Sequence, residues 1–440
     1  MITDINEGTL DQVRNPALRA YAARYLRIYQ DFMEQVAQTG VGIEPQGESK
    51  PIAPVVDQLQ KKGVRVRNDG KSLYINRISP SCQACQTAEG SATFFISLRC
   101  HRSCFFCFNP NQENYEHFQH ASRDLKAELD EMHAQGQRLR HIGLTGGEPL
   151  LHKPEAVEFF RYAKEVFPGA YTRLYTSGDH IDVDILQSLK DAHLDEIRFS
   201  IRLYDLPKGR SYTLDRIRLA AAYIPHVLVE MPVLPNSFEE MKEILVSLDQ
   251  AGIFGINLLE FCFPFHNADI YRMKNYPVKA HPFRVLYDYW YAGGLPVAGS
   301  EAVCLSLLEF ALESKLKMGV HYCSLENKHT GQLHQQNSKV HLPGLYRFSQ
   351  KDYFIKSAKV FGDDIPAVLA CFKKEHFEQY QLDHEQNCLE FPVEKVSLLH
   401  KMDVEVGLAY YVVENRDGEN ILRELKVDLI TPANFQISDI

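Results

Sequence analysis

No run of 18 apolar residues occurs anywhere in the 440, and the opening MITDINEGTLD is acidic where a secretory leader would be basic and then apolar. Neither a membrane span nor a signal peptide is expected, and a cytoplasmic location follows. An excess of base is also missing. The chain has 48 Lys and Arg against 57 Asp and Glu, a formal charge of -9. That balance argues against a broad electropositive face gripping nucleic acid through many phosphates. Internal repeats and low-complexity tracts are absent. Ten cysteines without a secretion signal read as metal ligands or buried thiols in a reducing compartment, not as a disulfide framework. With 45% apolar residues, the chain can bury a core for one large domain with extensions, or for two to three ordinary domains.

Three cysteines stand together. Cys100, Cys104 and Cys107, in LRCHRSCFFCF, form CxxxCxxC. A structural zinc site wants four closed ligands, commonly from two paired knuckles, and this triplet has no fourth partner of its own. The ring of His101, between the first two cysteines, is expected to point away from a shared metal. Three thiolates instead suit a 4Fe-4S cubane with one iron left open. The pattern closely resembles the signature of the radical S-adenosylmethionine (radical SAM) superfamily. The resemblance implies that S-adenosylmethionine chelates the open iron through its amino and carboxylate groups. An electron from the cluster then cleaves the sulfonium, giving methionine and a 5'-deoxyadenosyl radical that takes hydrogen from a substrate. Cys100, Cys104 and Cys107 are the catalytic and metal-binding set in this reading, and a reductase such as flavodoxin or ferredoxin supplies the electron.

From about residue 92, short β-rich runs alternate with helical stretches, the pattern of βα units around a parallel sheet. Six strands are expected: 92–98, 140–145, 172–177, 196–203, 226–234 and 255–261. The resemblance makes an α/β fold with a partial (βα)6 TIM-like barrel the expected form, with chemistry at the C-terminal strand ends. Residues 1–91 are expected as an N-terminal extension with a helix near 16–39 and a β-hairpin on an Asn-Asp-Gly turn. The barrel takes 92–265, a mixed extension 266–340, and a C-terminal α+β domain 341–440, closing in a hairpin on Arg416, Asp417 and Gly418.

The turn after the second strand, Gly146, Gly147 and Glu148, resembles the family's glycine-rich turn. The resemblance implies that exposed backbone and the acid meet the methionine amino group there. Alone, it would be an ordinary turn into a helix, with Pro149 near its first position. Ser200 and Arg202, two apart on the fourth strand, are expected to share a face and to offer polar groups to the cosubstrate. The family's acidic or amide group soon after the serine is replaced by Arg202, Leu203, Tyr204 and Asp205. Phe106, before the third cysteine, holds the position of the family's adenine-side aromatic, while Phe105 reads as core. Thr176 and Ser177 could line the cleft or simply cap their strand. Glu230 and Glu260, acids in apolar strands, are candidates for facing substrate, with outward salt bridges the alternative.

Cys82 and Cys85, in SPSCQACQTAEG, look like a metal knuckle, but a lone CxxC is half a site. Cys323 is the preferred third ligand and Cys262 a weaker fourth, for a second iron–sulfur cluster or zinc; a redox-active or inert thiol pair is the alternative. Cys304 and Cys371 look like core. The leading function is hydrogen abstraction from a peptide or small molecule. The competitors are a non-catalytic iron–sulfur or zinc regulatory protein, an enzyme acting on tRNA, and an activator of a glycyl-radical enzyme.

Overall fold

A computed structural model describes residues 2–45, 52–205, 207–287 and 294–440. The chain divides into two compact units: Gly40–Pro282 with Tyr289–Gly331, and Met1–Thr39 with Phe283–Asp288 and Gln332–Ile440. The boundaries expected at 91, 265 and 340 do not coincide with this division.

The first unit is built on a nine-stranded sheet. In chain order its strands are β1 (Arg65–Arg67), β2 (Ser72–Ile75), β3 (Ser91–Phe95), β4 (His141–Thr145), β5 (Tyr171–Thr176), β6 (Glu196–Phe199), β7 (His226–Val233), β8 (Gly255–Glu260) and β9 (Gly319–Cys323). Across the sheet the order is β1-β2-β9-β8-β7-β6-β5-β4-β3. Strands β3 to β9 pair in parallel, β2 is antiparallel to β9, and β1 forms the far edge antiparallel to β2. β1 and β3 are the unpaired ends of this order, so the barrel is partial. The six expected strands are present. A seventh parallel strand, β9, follows the helix Ser300–Glu313, and the Asn-Asp-Gly hairpin belongs to the same sheet. The supposed extensions at 65–75 and 319–323 are therefore barrel strands, because β9 has backbone to pair on both sides.

Alternation along each strand sorts its side chains between two faces. Phe94, Ile142, Leu144, Leu174, Ile197, Phe199, Val229, Met231, Ile256 and Leu258 form the buried layer with residues of the outer helices, such as Phe159, Leu186 and Leu245. Arg173, Tyr175, Glu196, Arg198, Glu230, Asn257 and His321 alternate with them on the opposite face. The fourth strand stops at Phe199, four residues short of its expected end. Beyond it the chain turns, with Arg202 pairing to Asp205 at 2.9 Å and the Asp205 N–H donating to the Arg202 carbonyl.

The inward face is charged where a complete barrel usually packs branched apolar residues. Arg198 holds it together. Its guanidinium donates to Glu196 at 2.5 Å, Glu230 at 2.6 Å, the Tyr175 hydroxyl at 3.2 Å and Ser79 at 3.0 Å. Asn257 Nδ2 donates to Glu230 at 2.7 Å, and its Oδ1 faces His321 Nδ1 at 2.9 Å. Burial, with Arg198 nearby, pushes the His321 ring down to about 3, so it is neutral at pH 7. With Nδ1 donating to Asn257, Nε2 is left to accept from the Ser72 hydroxyl at 2.9 Å.

The second unit is an antiparallel sheet in the order Ile2–Thr3, Glu419–Ile430, Val406–Arg416, Ile355–Phe361, Cys388–Phe391, Gln381–Asp383. The expected terminal hairpin turns at Asp417 and Gly418, both with positive φ (52° and 87°). The helix Pro16–Gln38, capped by the Asn15 side chain, packs here, its Tyr21 hydroxyl donating to Glu424 at 2.9 Å. No helix among the described residues is long and apolar enough to cross a membrane.

Removing one partner of a buried ion cluster leaves the others uncompensated, which costs about 3–5 kcal/mol. Arg198→Ala strands Glu196 and Glu230 and is expected to lower unfolding free energy by about that amount. Urea denaturation of the variant checks this, and a loss under about 1 kcal/mol would contradict the role given to Arg198.

Candidate functional site

The cysteine loop leaves the C-terminal end of β3, and its backbone is held from below by the turn after β4. The Gly147 N–H donates to the Ser97 carbonyl at 3.1 Å, and the Glu148 N–H to the Arg99 carbonyl at 2.9 Å. A Cβ on Gly147 would lie 1.9 Å from the Arg99 oxygen, and one on Gly146, whose φ is +114°, would lie 2.6 Å from the Ser97 oxygen. Glycine is required at both positions because the two loops touch backbone to backbone. The glycines read from sequence as an approach to the cosubstrate first serve an approach to the cysteine loop.

Glu148 is buried and links this turn to the end of β5. Its Oε1 accepts from the Leu150 N–H at 3.1 Å and the Thr176 hydroxyl at 2.8 Å; Oε2 accepts from the Ser177 N–H at 2.7 Å. A carboxylate offers about four lone-pair sites, so one on Oε2 remains for an incoming donor. Thr176 and Ser177, read as caps or cleft residues, are the groups that orient this acid.

Two residues beyond Ser177 the chain returns to the cysteines. Asp179 accepts from Arg102 Nε at 2.6 Å and Nη2 at 2.5 Å, and pairs with His101 Nε2 at 2.6 Å. Burial would raise its pKa, but the hydrogen bonds from Arg102 and His101 outweigh that and hold the carboxyl well below the usual range. His101 is thus turned to Asp179, as expected of a side chain that is not a metal ligand. Asp179 itself was missed, because nothing in TSGD marks an acid that reaches across to a neighbouring loop.

The three thiols lie within electrostatic reach of one another. The Arg102 N–H donates to Cys100 Sγ at 3.4 Å, and the Cys107 N–H to the Cys104 carbonyl at 3.0 Å. Burial pushes the Cys107 thiol up to about 11 and Cys100 upward too, so ligation would have to displace protons. No three His, Cys, Asp or Glu side chains among the described residues are arranged to hold a single metal ion. A cubane makes a different demand, since each thiolate takes its own iron. The loop's N–H donors to sulfur and its aromatic backing fit such a cluster.

Phe106 is half-buried, its ring 5.2 Å from Phe105, 6.1 Å from Tyr204 and 6.2 Å from Phe261. Phe105 is buried core, as expected. A polar cleft of about 460 Å³ opens beside Cys100, lined in part by Ser97, Arg99, His120 and His152. Ser200 and Arg202 depart from their expected placement. Both lie past the end of β6, so strand alternation does not put them on one face; Ser200 is exposed, and Arg202 is buried and spent on Asp205. Glu230 and Glu260 are internally paired too, Glu230 with Arg198 and Asn257, Glu260 with Lys279 at 2.5 Å and the Leu325 N–H at 2.7 Å. Cys262 is buried, with Lys328 and Glu260 as its charged neighbours.

Residues 94–248 match the family model of the radical SAM superfamily. This span is a radical SAM domain. The chain is 27% identical over 193 residues to a Methanocaldococcus jannaschii protein named as a proposed glycyl-radical enzyme activating enzyme, covering 42% of this chain and 51% of that one. It is 30% identical over 139 residues to the 7-carboxy-7-deazaguanine synthase of Halobacterium salinarum, covering 31% and 49%. The chain therefore spans about half the length of these curated relatives. The solved structure of Streptococcus suis SuiB bound to S-adenosylmethionine is similar with a TM-score of 0.41 and 11% identity, over 54% of this chain and 51% of that one.

Because Asp179 ties the cysteine loop to β5 with partly exposed partners, its loss should cost little global stability, about 1 kcal/mol or less. Asp179→Ala is expected to leave the melting curve nearly unchanged yet speed iron removal by a chelator several-fold. Equal chelation rates in variant and parent would show that the tether does not hold the loop.

Proposed function

We propose that this radical SAM protein is an enzyme that binds a 4Fe-4S cluster through Cys100, Cys104 and Cys107 and cleaves S-adenosylmethionine reductively to take a hydrogen atom from a peptide or small molecule. The observation that carries this reading is the closed circuit of contacts around the thiols. The loop rests on Gly147, Glu148 ties that turn to Ser177, and Asp179 ties the same strand end back to Arg102 and His101. When bound, the cluster supplies the electron for reductive cleavage of S-adenosylmethionine.

The chain's own residues have separate tasks. Glu148 presents its remaining lone pair to the amino group of the cosubstrate, a charge-assisted contact. Phe106, with Tyr204 and Phe261 behind it, offers an apolar wall for adenine and keeps bulk water from the reacting atoms. Arg99, exposed beside Cys100, gives the loop a cationic rim suited to an acidic electron donor such as flavodoxin or ferredoxin. A second reading, activation of a glycyl-radical enzyme, takes its support from the name of the M. jannaschii relative. The whole antiparallel unit outside the barrel favours a substrate enzyme over a minimal activator.

Anaerobic reconstitution tests the proposal. The parent chain should hold iron and sulfide and form 5'-deoxyadenosine under reduction, and the Cys100→Ala, Cys104→Ala, Cys107→Ala variant should form none. Glu148→Ala should keep the cluster of the cysteine loop while losing binding of S-adenosylmethionine about tenfold or more, the worth of roughly 1.5–3 kcal/mol in a charged hydrogen bond. A parent protein that holds only zinc and makes no 5'-deoxyadenosine would overturn the enzyme reading.

A further inference from the structure

One cation on the inner face of the sheet has no acid of its own. Arg173, on β5, is 9% exposed, yet no carboxylate among the described residues pairs with it. Its hydrogen bonds go to hydroxyls, from Nε to Tyr175 at 3.1 Å and from Nη2 to Thr93 at 3.4 Å, and Nη1 is buried without an acceptor. Glu196 stands directly across from it on β6, but both oxygens of that acid are taken. Oε1 accepts from Arg198 at 2.5 Å, and Oε2 from the Ser79 hydroxyl at 2.6 Å and the Tyr171 hydroxyl at 2.8 Å. A guanidinium cannot shed its charge, so burying it without a counter-charge is a standing cost to the fold.

A second donor lies beside it. The Tyr175 hydroxyl accepts from Arg173 Nε and, at 3.2 Å, from Arg198 Nη1, so its lone pairs are used and its own O–H has no acceptor among the described residues. The strand on the other side leaves room for the guanidinium. Gly143 of β4 is in register with Arg173, and a Cβ there would lie 3.2 Å from Nε. A glycine inside a strand marks such a close approach. This face is not packed shut: Thr93 is exposed, Tyr175 half-buried, and the Glu230 side chain 21% exposed. Arg173, Arg198 and Lys328, which lies within electrostatic reach of Glu230, stand against Glu196 and Glu230, so the face has a positive charge to spare.

We propose that Arg173 Nη1 and the Tyr175 O–H bind a carboxylate of the substrate inside the barrel. The inference rests on the enzyme reading above and narrows its substrate class to molecules that carry a free carboxylate. A single spare charge with two adjacent donors matches that group. A phosphate dianion would bring a second negative charge towards Glu196 and Glu230 with no cation left to meet it. Arg173 lies three residues before Thr176, the residue whose hydroxyl orients Glu148, and so about 10 Å along the strand from that level of the site. A substrate held at Arg173 therefore offers the radical a carbon several bonds removed from its carboxylate, not the one beside it.

The test uses the full reconstituted chain, with acetate as the probe and acetamide, of the same shape but uncharged, as its control. Calorimetric titration should show binding of acetate and none of acetamide. Arg173→Met should weaken acetate binding about tenfold or more, the usual worth of a charged hydrogen bond. Tyr175→Phe, which keeps the ring, should weaken it several-fold with the fold intact. Arg173→Met should also melt at or above the temperature of the parent, because it removes an uncompensated buried charge and keeps a long side chain. An arginine with only a structural role would not behave in that way. Acetate that binds parent and Arg173→Met alike, or binds neither, overturns the proposal, and so does a fall in melting temperature of more than about 3 °C. Binding is read without turnover, which separates this outcome from that of the enzyme reading. A chain that forms 5'-deoxyadenosine but ignores acetate loses this inference alone, and one that binds acetate through Arg173 but forms no 5'-deoxyadenosine keeps a carboxylate site and loses the enzyme reading.

Discussion

The site depends on one close approach, that of the Gly146 and Gly147 backbone to the backbone of Ser97 and Arg99. Loops at the ends of parallel strands are ordinarily free to differ in height and direction. Here two of them are in main-chain contact, with no room for a Cβ between them. That contact fixes the path of the chain just before Cys100, and with it where the three thiols can go. Glu148 then carries the constraint one strand further, because an acid buried to 2% exposure must satisfy its oxygens with nearby donors, and Ser177 and Thr176 are those donors. Asp179 closes the circuit. The cysteine loop is thereby built on rigid strand ends, as a site that must hold a cluster and a cosubstrate in fixed relation requires.

A second constraint lies beneath. The inner face of this sheet is occupied by charge, and Arg198, Glu196 and Glu230 are paired with one another. Arg198 satisfies two carboxylates and a tyrosine, and Asn257 places one amide between Glu230, His321 and Cys82. Such networks contribute little net stability but penalise any other arrangement of the strands that bear them. They also explain why Glu230, which looks like a substrate group in the sequence, is committed to neighbours within the protein; Glu260 is committed separately, to Lys279 and the Leu325 N–H.

What could be read from the chain, and what could not, follows from how local each feature is. The cysteine spacing, the Gly-Gly-Glu turn and the six strands are written in consecutive residues, and the fold has all six strands, with the cysteine loop after β3 and the turn after β4. The strand β9 was hidden because GVHYC is short and lies after a long helix, and the hairpin's place in the sheet is a matter of pairing partner rather than pattern. Ser200 and Arg202 look like alternate residues of one strand; the Arg202–Asp205 pair that ends the extended run is visible only once the chain has turned. Asp179 and Asn257 act across loops and strands. The one signal for Asn257, Arg198 and His321 is a polar residue at alternate positions in otherwise apolar strands, and only the acids Glu230 and Glu260 are read in that way.

The central claim is that the cysteine loop holds a cluster with an iron open to the cosubstrate. It is tested most directly by adding S-adenosylmethionine to the anaerobically reconstituted and reduced protein and recording the electron paramagnetic resonance of the cluster. The account predicts a changed signal on addition, because a ligand reaches the open iron, and a change that requires about tenfold more S-adenosylmethionine in the Glu148→Ala form. A cluster spectrum that stays the same with saturating S-adenosylmethionine in the form that keeps Glu148 would contradict it.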